Sequence, residues 1–119
     1  MIAAGQIVWV YDGVIRPPGN KMYVCLCPQN GLYFRINSLG HWPGSVPISQ
    51  SDHPFLDHDS FIECNGPLEV DDYSIEESLR VDGVLGELRP TLKTLIIEVV
   101  SASPLLPENY KTLIITGLS

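Results

Sequence analysis

Apolar and polar positions alternate with a period of two through about the first 70 residues, and a helical period replaces it from Asp71 onward. Residues 6–11 (Gln-Ile-Val-Trp-Val-Tyr) are β-branched and aromatic, the composition of a strand. Ile7, Trp9 and Tyr11 point to one side and Gln6, Val8 and Val10 to the other, which predicts a strand covered on both faces. Residues 22–27 and 32–37 form the next two strands, paired as an antiparallel hairpin through the turn Pro28-Gln29-Asn30-Gly31. Alternation places Cys25 and Cys27 together on one face as two small buried hydrophobes. Val46-Pro47-Ile48-Ser49 is a brief extended segment that its proline confines to an edge. Residues 60–64 and 68–70 read as another hairpin, joined through the tight Asn65-Gly66 turn.

Beyond Asp71 the spacing predicts helices. Ser74-Ile75-Glu76-Glu77 fits a capping box, with Ser74 as the cap, Glu77 reaching back, and Ile75 and Leu79 facing inward. Gly83 and Gly86 end that short helix. Pro90 suits a first helical position, and Leu92, Leu95, Ile96, Val99 and Val100 follow at helical spacing until Pro104, which makes this the longest helix. A last helix starts at Pro107, turns Tyr110, Leu113 and Ile114 inward, and has Gly117 past its end. Strands segregated before helices predict an α+β fold with an antiparallel sheet, here a small bent barrel with the helices closing its side. The 119 residues make one domain.

Two loops stand out. Residues 12–20 hold Gly13, Pro17-Pro18 and Gly19-Asn20 with Arg16 at the tip, and are longer than a hairpin needs. Residues 38–44 contain Leu39-Gly40-His41-Trp42-Pro43. The net charge of −7 is unevenly spread: residues 1–51 carry Arg16, Lys21 and Arg35 against Asp12 alone, and residues 52–119 carry four basic residues against thirteen acids. Overall acidity weighs against nucleic acid, whose phosphates dominate affinity; the uneven charge reads first as a solvated acidic surface that favours solubility, and otherwise as two faces, one tolerant of an anion and one suited to a basic partner. No apolar run is long enough to span a bilayer, and no signal peptide opens the chain. Three cysteines are too few for a disulfide scaffold, so the cytoplasm is the expected compartment.

The densest chemistry lies in residues 53–70, with His53, His58, Cys64 and the carboxylates Asp57, Asp59, Glu63 and Glu69. His53, His58 and Cys64 match no structural zinc spacing, so neither a metal nor another cofactor is called for. A Cys64–His58 nucleophile pair lacks an orienting third group. Among the aromatics, Tyr33 and Trp42 adjoin polar loops and are the candidates for stacking a base.

Gly5-Gln6-Ile7-Val8-Trp9-Val10 resembles the opening strand of the MazF/PemK/Kid toxins, in which a long loop follows. Lys21-Met22-Tyr23-Val24-Cys25-Leu26 occupies the place of that family's Arg-Pro and β-branched strand, and Val46-Pro47-Ile48-Ser49 is similar to its Pro-(Ile/Leu)-Thr segment. Residues 56–70 and then 79–86 follow in similar order and spacing, so the likeness covers most of residues 5–100. The resemblance implies an SH3-like barrel, a homodimer, and an antitoxin-like protein partner. It also implies metal-independent cleavage of single-stranded RNA. The family's loop arginine and hydroxyl residue fall on Lys21 and Ser49, with Arg16 five residues earlier as the other source of a cation. Arg35, Tyr33 and Trp42 would then hold the RNA. A lysine keeps the charge of that arginine but lacks its bidentate fork. Two functions therefore stand side by side: a toxin-like endoribonuclease, or a non-catalytic module that binds a protein or nucleic-acid partner through loops 12–20 and 38–45.

Overall fold

The β-branched and aromatic runs become strands, and the helical period becomes helices, in the computed structural model, which describes residues 1–119. In chain order they are β1 (Gln6–Asp12), β2 (Gly19–Cys27), β3 (Leu32–Asn37), β4 (Ser45–Ile48), β5 (Ser60–Glu63), β6 (Leu68–Glu69), α1 (Asp72–Val81), β7 (Gly86–Glu87), α2 (Pro90–Ala102) and α3 (Glu108–Leu118). The fold is α+β, a curled antiparallel half-barrel with helices after it. Strand order is β4-β5-β3-β2-β1-β7, with β6 also on β3. The edges β4 and β7 do not pair, so the barrel stays open. Pro47 sits on edge strand β4, where its missing N–H costs the ladder little. No helix is long and apolar enough to cross a membrane.

Both faces of the sheet are covered, as the alternation in β1 requires. Ile7 joins Val24, Phe34 and Ile62 in an inner core that Ile96 and Val100 of α2 and Ile114 and Leu118 of α3 close. Val8 and Val10 join Tyr23, Cys25, Tyr33 and Ile75 of α1 in a smaller core on the outer face. Each fully buried Ile, Leu or Phe side chain contributes about 1.5–3 kcal/mol through removal from water.

Four details differ from the sequence reading. The register of β2 against β3 shifts between Cys25 and Cys27, so Cys25 enters the outer core and Cys27 the inner one. The bulge breaks the two-residue period that would have kept them together. Second, β6 does not form a hairpin with β5. Both lie along the same edge of β3, β5 against Ile36 and Asn37 and β6 against Leu32 and Tyr33. Third, α1 begins earlier than Ser74: Asp71 is the cap, accepting from the Ser74 N–H (3.0 Å) and the Ser74 hydroxyl (2.8 Å). Those hydrogen bonds hold the Asp71 carboxyl below its ordinary pKa. Finally, Gly86 extends a strand, pairing with Ile7, and Gly117 lies inside α3.

Candidate functional site

On the outer face, each strand carries its polar residues at the end away from α1. Val8, Val10 and Asp12 lie on one side of β1, and the register sets Val10 opposite Lys21, and Tyr23 opposite Arg35. Alternation therefore leads each strand out of the apolar outer core into a polar cluster of Asp12, Lys21, Tyr23, Arg35, Asn37 and Glu63.

Asp12 organises this cluster and is buried. Its Oδ2 accepts from the Tyr23 hydroxyl (2.6 Å) and from Arg35 Nε (2.8 Å) and Nη2 (2.5 Å), and its Oδ1 accepts from the Val14 N–H (3.0 Å). Burial raises the Asp12 pKa, but the hydrogen bonds from Tyr23, Val14 and Arg35 together outweigh it and hold the carboxyl below its ordinary value. Burial, with the bond to Asp12, pushes the Tyr23 phenol up to about 12. On its far side, Arg35 Nη1 approaches Glu63 Oε2 at 3.8 Å, and the same Glu63 oxygen accepts from Asn37 Nδ2 at 3.0 Å. The guanidinium is thus held between two carboxylates.

Lys21 is in a different state. It is half-buried and forms none of the ion pairs in the molecule. Desolvation lowers its pKa, and the nearby positive charge of Arg35 lowers it further, against smaller opposing effects of Asp12 and Glu63. It lines a hollow of about 190 Å³ together with Trp9, Asn20, Asn37, His58 and Ser60. The β1–β2 loop (residues 13–18) and the start of the β3–β4 loop (residues 38–44) flank the same end of the sheet. Tyr11, Val14, Leu39 and Trp42 are exposed in and beside these loops.

The remaining candidates do not converge on Lys21. Ser49 lies in the turn after β4, donating to Asp52 Oδ2 (3.2 Å) and accepting from the Asp52 N–H (3.4 Å), and it does not line the Lys21 hollow. Arg16 is exposed and folds back on its own loop, Nη1 donating to the carbonyls of Gly13, Ile15 and Val14 at 3.2–3.4 Å. Tyr33 requires a correction: it is 1% exposed in the outer core, so its ring has no free face for a base. The cause is α1, which covers that half of the sheet. Trp42 is 41% exposed and stacks on His41, ring centres 3.8 Å apart.

Residues 53–70 disperse as well. His53 is buried, its Nδ1–H donating to the Ser49 carbonyl (3.2 Å) and its Nε2 accepting from the Arg89 N–H (3.1 Å), so it ties the turn after β4 to the start of α2. His58 Nδ1 lies 2.9 Å from the Asp59 carbonyl and must carry a proton to bond it, so it cannot serve as a base for Ser60 at 3.2 Å. Cys64 is fully buried, and burial pushes its thiol up to about 12. His53, His58 and Cys64 do not gather into one donor set. Burial likewise raises Cys25 to about 11. Cys25 and Cys64 should therefore resist a disulfide reagent such as DTNB at pH 8 in the folded protein and react once urea unfolds it, measured by thiolate absorbance. Fast reaction without denaturant would contradict their placement.

The signal for the cluster was present but easily missed. Asp12 continues the positions of Val8 and Val10, which made it a strand residue facing the outer core, not the first residue of a loop. No protein-family model matches this chain, and no curated protein matches it either.

Proposed function

We propose that this chain is a non-catalytic binding module that engages a protein partner through the loops expected at 12–20 and 38–45, which the strands narrow to 13–18 and 38–44, with Lys21 taking an acceptor group of that partner. One observation carries this reading: Lys21 is a half-buried cation without an ionic partner, lining a hollow with Trp9, Asn37 and His58, at the end of the sheet whose loops expose Val14 and Leu39. Desolvating a charge without pairing it is costly, and a carboxylate or phosphate entering the hollow would recover that cost. The apolar residues around it would supply the buried area from which interfaces gain affinity. The free buried thiols agree with a reducing compartment, and we place the protein in the cytoplasm.

The second reading is the metal-independent, MazF-like endoribonuclease. The proximity of Lys21 to Arg35 favours it, because two cations can offset developing charge on a phosphorane. Against it, Arg35 is already bound by Asp12 and Glu63, and the Ser49 hydroxyl is engaged by Asp52.

Titrations with acetate, inorganic phosphate and a short single-stranded RNA, followed by amide NMR shifts, separate the two readings. Binding-module behaviour predicts shifts at residues 20–22, 37–38 and 57–60 with acetate or phosphate, lost in Lys21→Ala, and no RNA cleavage. Absence of any response there removes this reading. Cleavage of a long RNA in EDTA, falling about a hundredfold or more in Lys21→Ala or Arg16→Ala, would establish the ribonuclease instead.

We further propose a homodimer, supported by exposed apolar side chains outside the hollow such as Leu95 and Leu105. Light scattering at micromolar concentration should give twice the mass of one chain, and a monomer would remove the proposal.

A further inference from the structure

A depression of about 1010 Å³ lies away from Lys21, between α1, α3 and the N-terminal segment. That is at the upper end of the roughly 300–1,000 Å³ that small-molecule pockets span, and suits a row of side chains. It exists because α1 covers the outer face beside β1 while α3 is held on β2. Ile75 and Leu79 of α1 and Leu113 of α3 give it apolar walls.

Its side-chain charge is acidic. The charged side chains that line it are Asp72 and Glu76, with no lysine, arginine or histidine among the lining residues, and the α-amino group of Met1 is the one cation beside them. Asp71 and Asp82 add negative charge at the two ends of α1. A second copy packed groove to groove would bring like charges together, and an anionic membrane surface would be repelled in the same way. An apolar floor with an acidic rim instead complements a segment that is apolar on one face and basic beside it. The apolar walls Ile75, Leu79 and Leu113 stand on helices, and the strands that reach the groove, β2 at Cys27 and β3 at Tyr33, are paired on both sides, so the fitting mode is a helix in a groove, not strand addition.

We propose that the groove between α1 and α3 is a docking surface for a basic amphipathic helix of a partner protein. Its apolar ridge lies against Ile75, Leu79 and Leu113, and its lysines or arginines meet Asp72 and Glu76. This surface is separate from the Lys21 hollow, and the inference does not depend on the reading given for that hollow.

The test uses a fluorescein-labelled synthetic helix with leucines along one face and lysines on the other, and a twin in which glutamate replaces every lysine. Anisotropy should show saturable binding of the lysine helix that weakens with salt, and none of the glutamate helix. Glu76→Lys should weaken binding at least about tenfold, whereas Glu98→Lys, an equal charge reversal on the exposed face of α2, should change it less than about twofold. Thr116→Arg, on an exposed α3 position lining the groove, should also weaken it, and circular dichroism checks that each variant is folded. Amide shifts on binding should centre on Ile75, Leu79 and Leu113. Equal loss in Glu76→Lys and Glu98→Lys would mean diffuse charge attraction and overturn the proposal. So would equal binding of the glutamate helix, no saturable binding, or shifts centred elsewhere. A dimer of the free protein that Thr116→Arg dissociates would assign the groove to a second copy and overturn it too.

Discussion

Gly117→Ala should destabilise the protein by about 3 kcal/mol or more, at the upper end of what overpacking costs. A Cβ at this position would fall well inside the van der Waals contact distance of the Leu26 carbonyl oxygen, with the Ala4 Cβ at ordinary contact distance. Leu26 is in the central strand β2 and is fully buried, so neither its backbone nor its side chain has room to give. The alternative is for α3 to lift off β2, which withdraws Ile114 and Leu118 from the inner core. Alanine is otherwise the better helix former by about 1 kcal/mol, so a measured loss reports packing against the helix's own preference. Urea unfolding followed by far-ultraviolet circular dichroism measures it. Gly19→Ala is the control: a Cβ there meets nothing within 4 Å, and the midpoint should move by less than about 0.5 kcal/mol. Wild-type stability in Gly117→Ala would mean that α3 does not approach β2 as described.

Asp12→Ala should cost about 3–5 kcal/mol, because breaking a buried ion pair strands its partner. Removing Asp12 leaves the Tyr23 hydroxyl without its acceptor and leaves Arg35, 17% exposed at its side chain, with only the longer contact to Glu63. The remaining Glu63 contact sets the expectation nearer the lower figure. The same carboxyl gives a pH signature. Its folded pKa lies below the ordinary 3.8, so its stabilising contribution is complete above that value and is lost as pH falls through the folded pKa. Wild-type stability should therefore decline more steeply below about pH 4 than that of Asp12→Asn, which has no proton to take up there. Urea midpoints of both proteins at successive pH values measure the difference. The other carboxylates, including Asp71, are common to both and cancel in the comparison. Parallel curves would show that Asp12 gains nothing from its partners on folding.

If Asp12→Ala unfolds at the wild-type midpoint yet alters the acetate or phosphate response near Lys21, the cluster tunes the hollow without holding the sheet. Loss of stability with an unchanged response would assign Asp12, Tyr23 and Arg35 to structure and leave Lys21 as the binding element.

The sequence alone determined the class and most of the elements. Two-residue alternation requires strands, and the change to helical spacing at Asp71 requires helices after them, because each period puts apolar groups on one side of its own backbone geometry. Apolar residues on both sides of β1 likewise demanded cover on both faces, which two separate cores provide. Lys21 and Arg35 were legible as cations, Tyr33 and Trp42 as aromatics, and Ser49 as a hydroxyl. Which of them meet was not legible. Only the tertiary structure decided that Arg35 binds Asp12, 23 residues earlier in the chain, because that pairing depends on the register of β1, β2 and β3 together. The bulge after Cys25 separated two cysteines that strict alternation had put together. Gly117 shows the same limit most sharply. Locally it has the composition of a helix stop, and it became the point where a helix touches a strand backbone, because the available space is set by Leu26, 91 positions earlier in the chain. A local pattern fixes which side of an element is apolar; what lies against that side is settled by the rest of the chain.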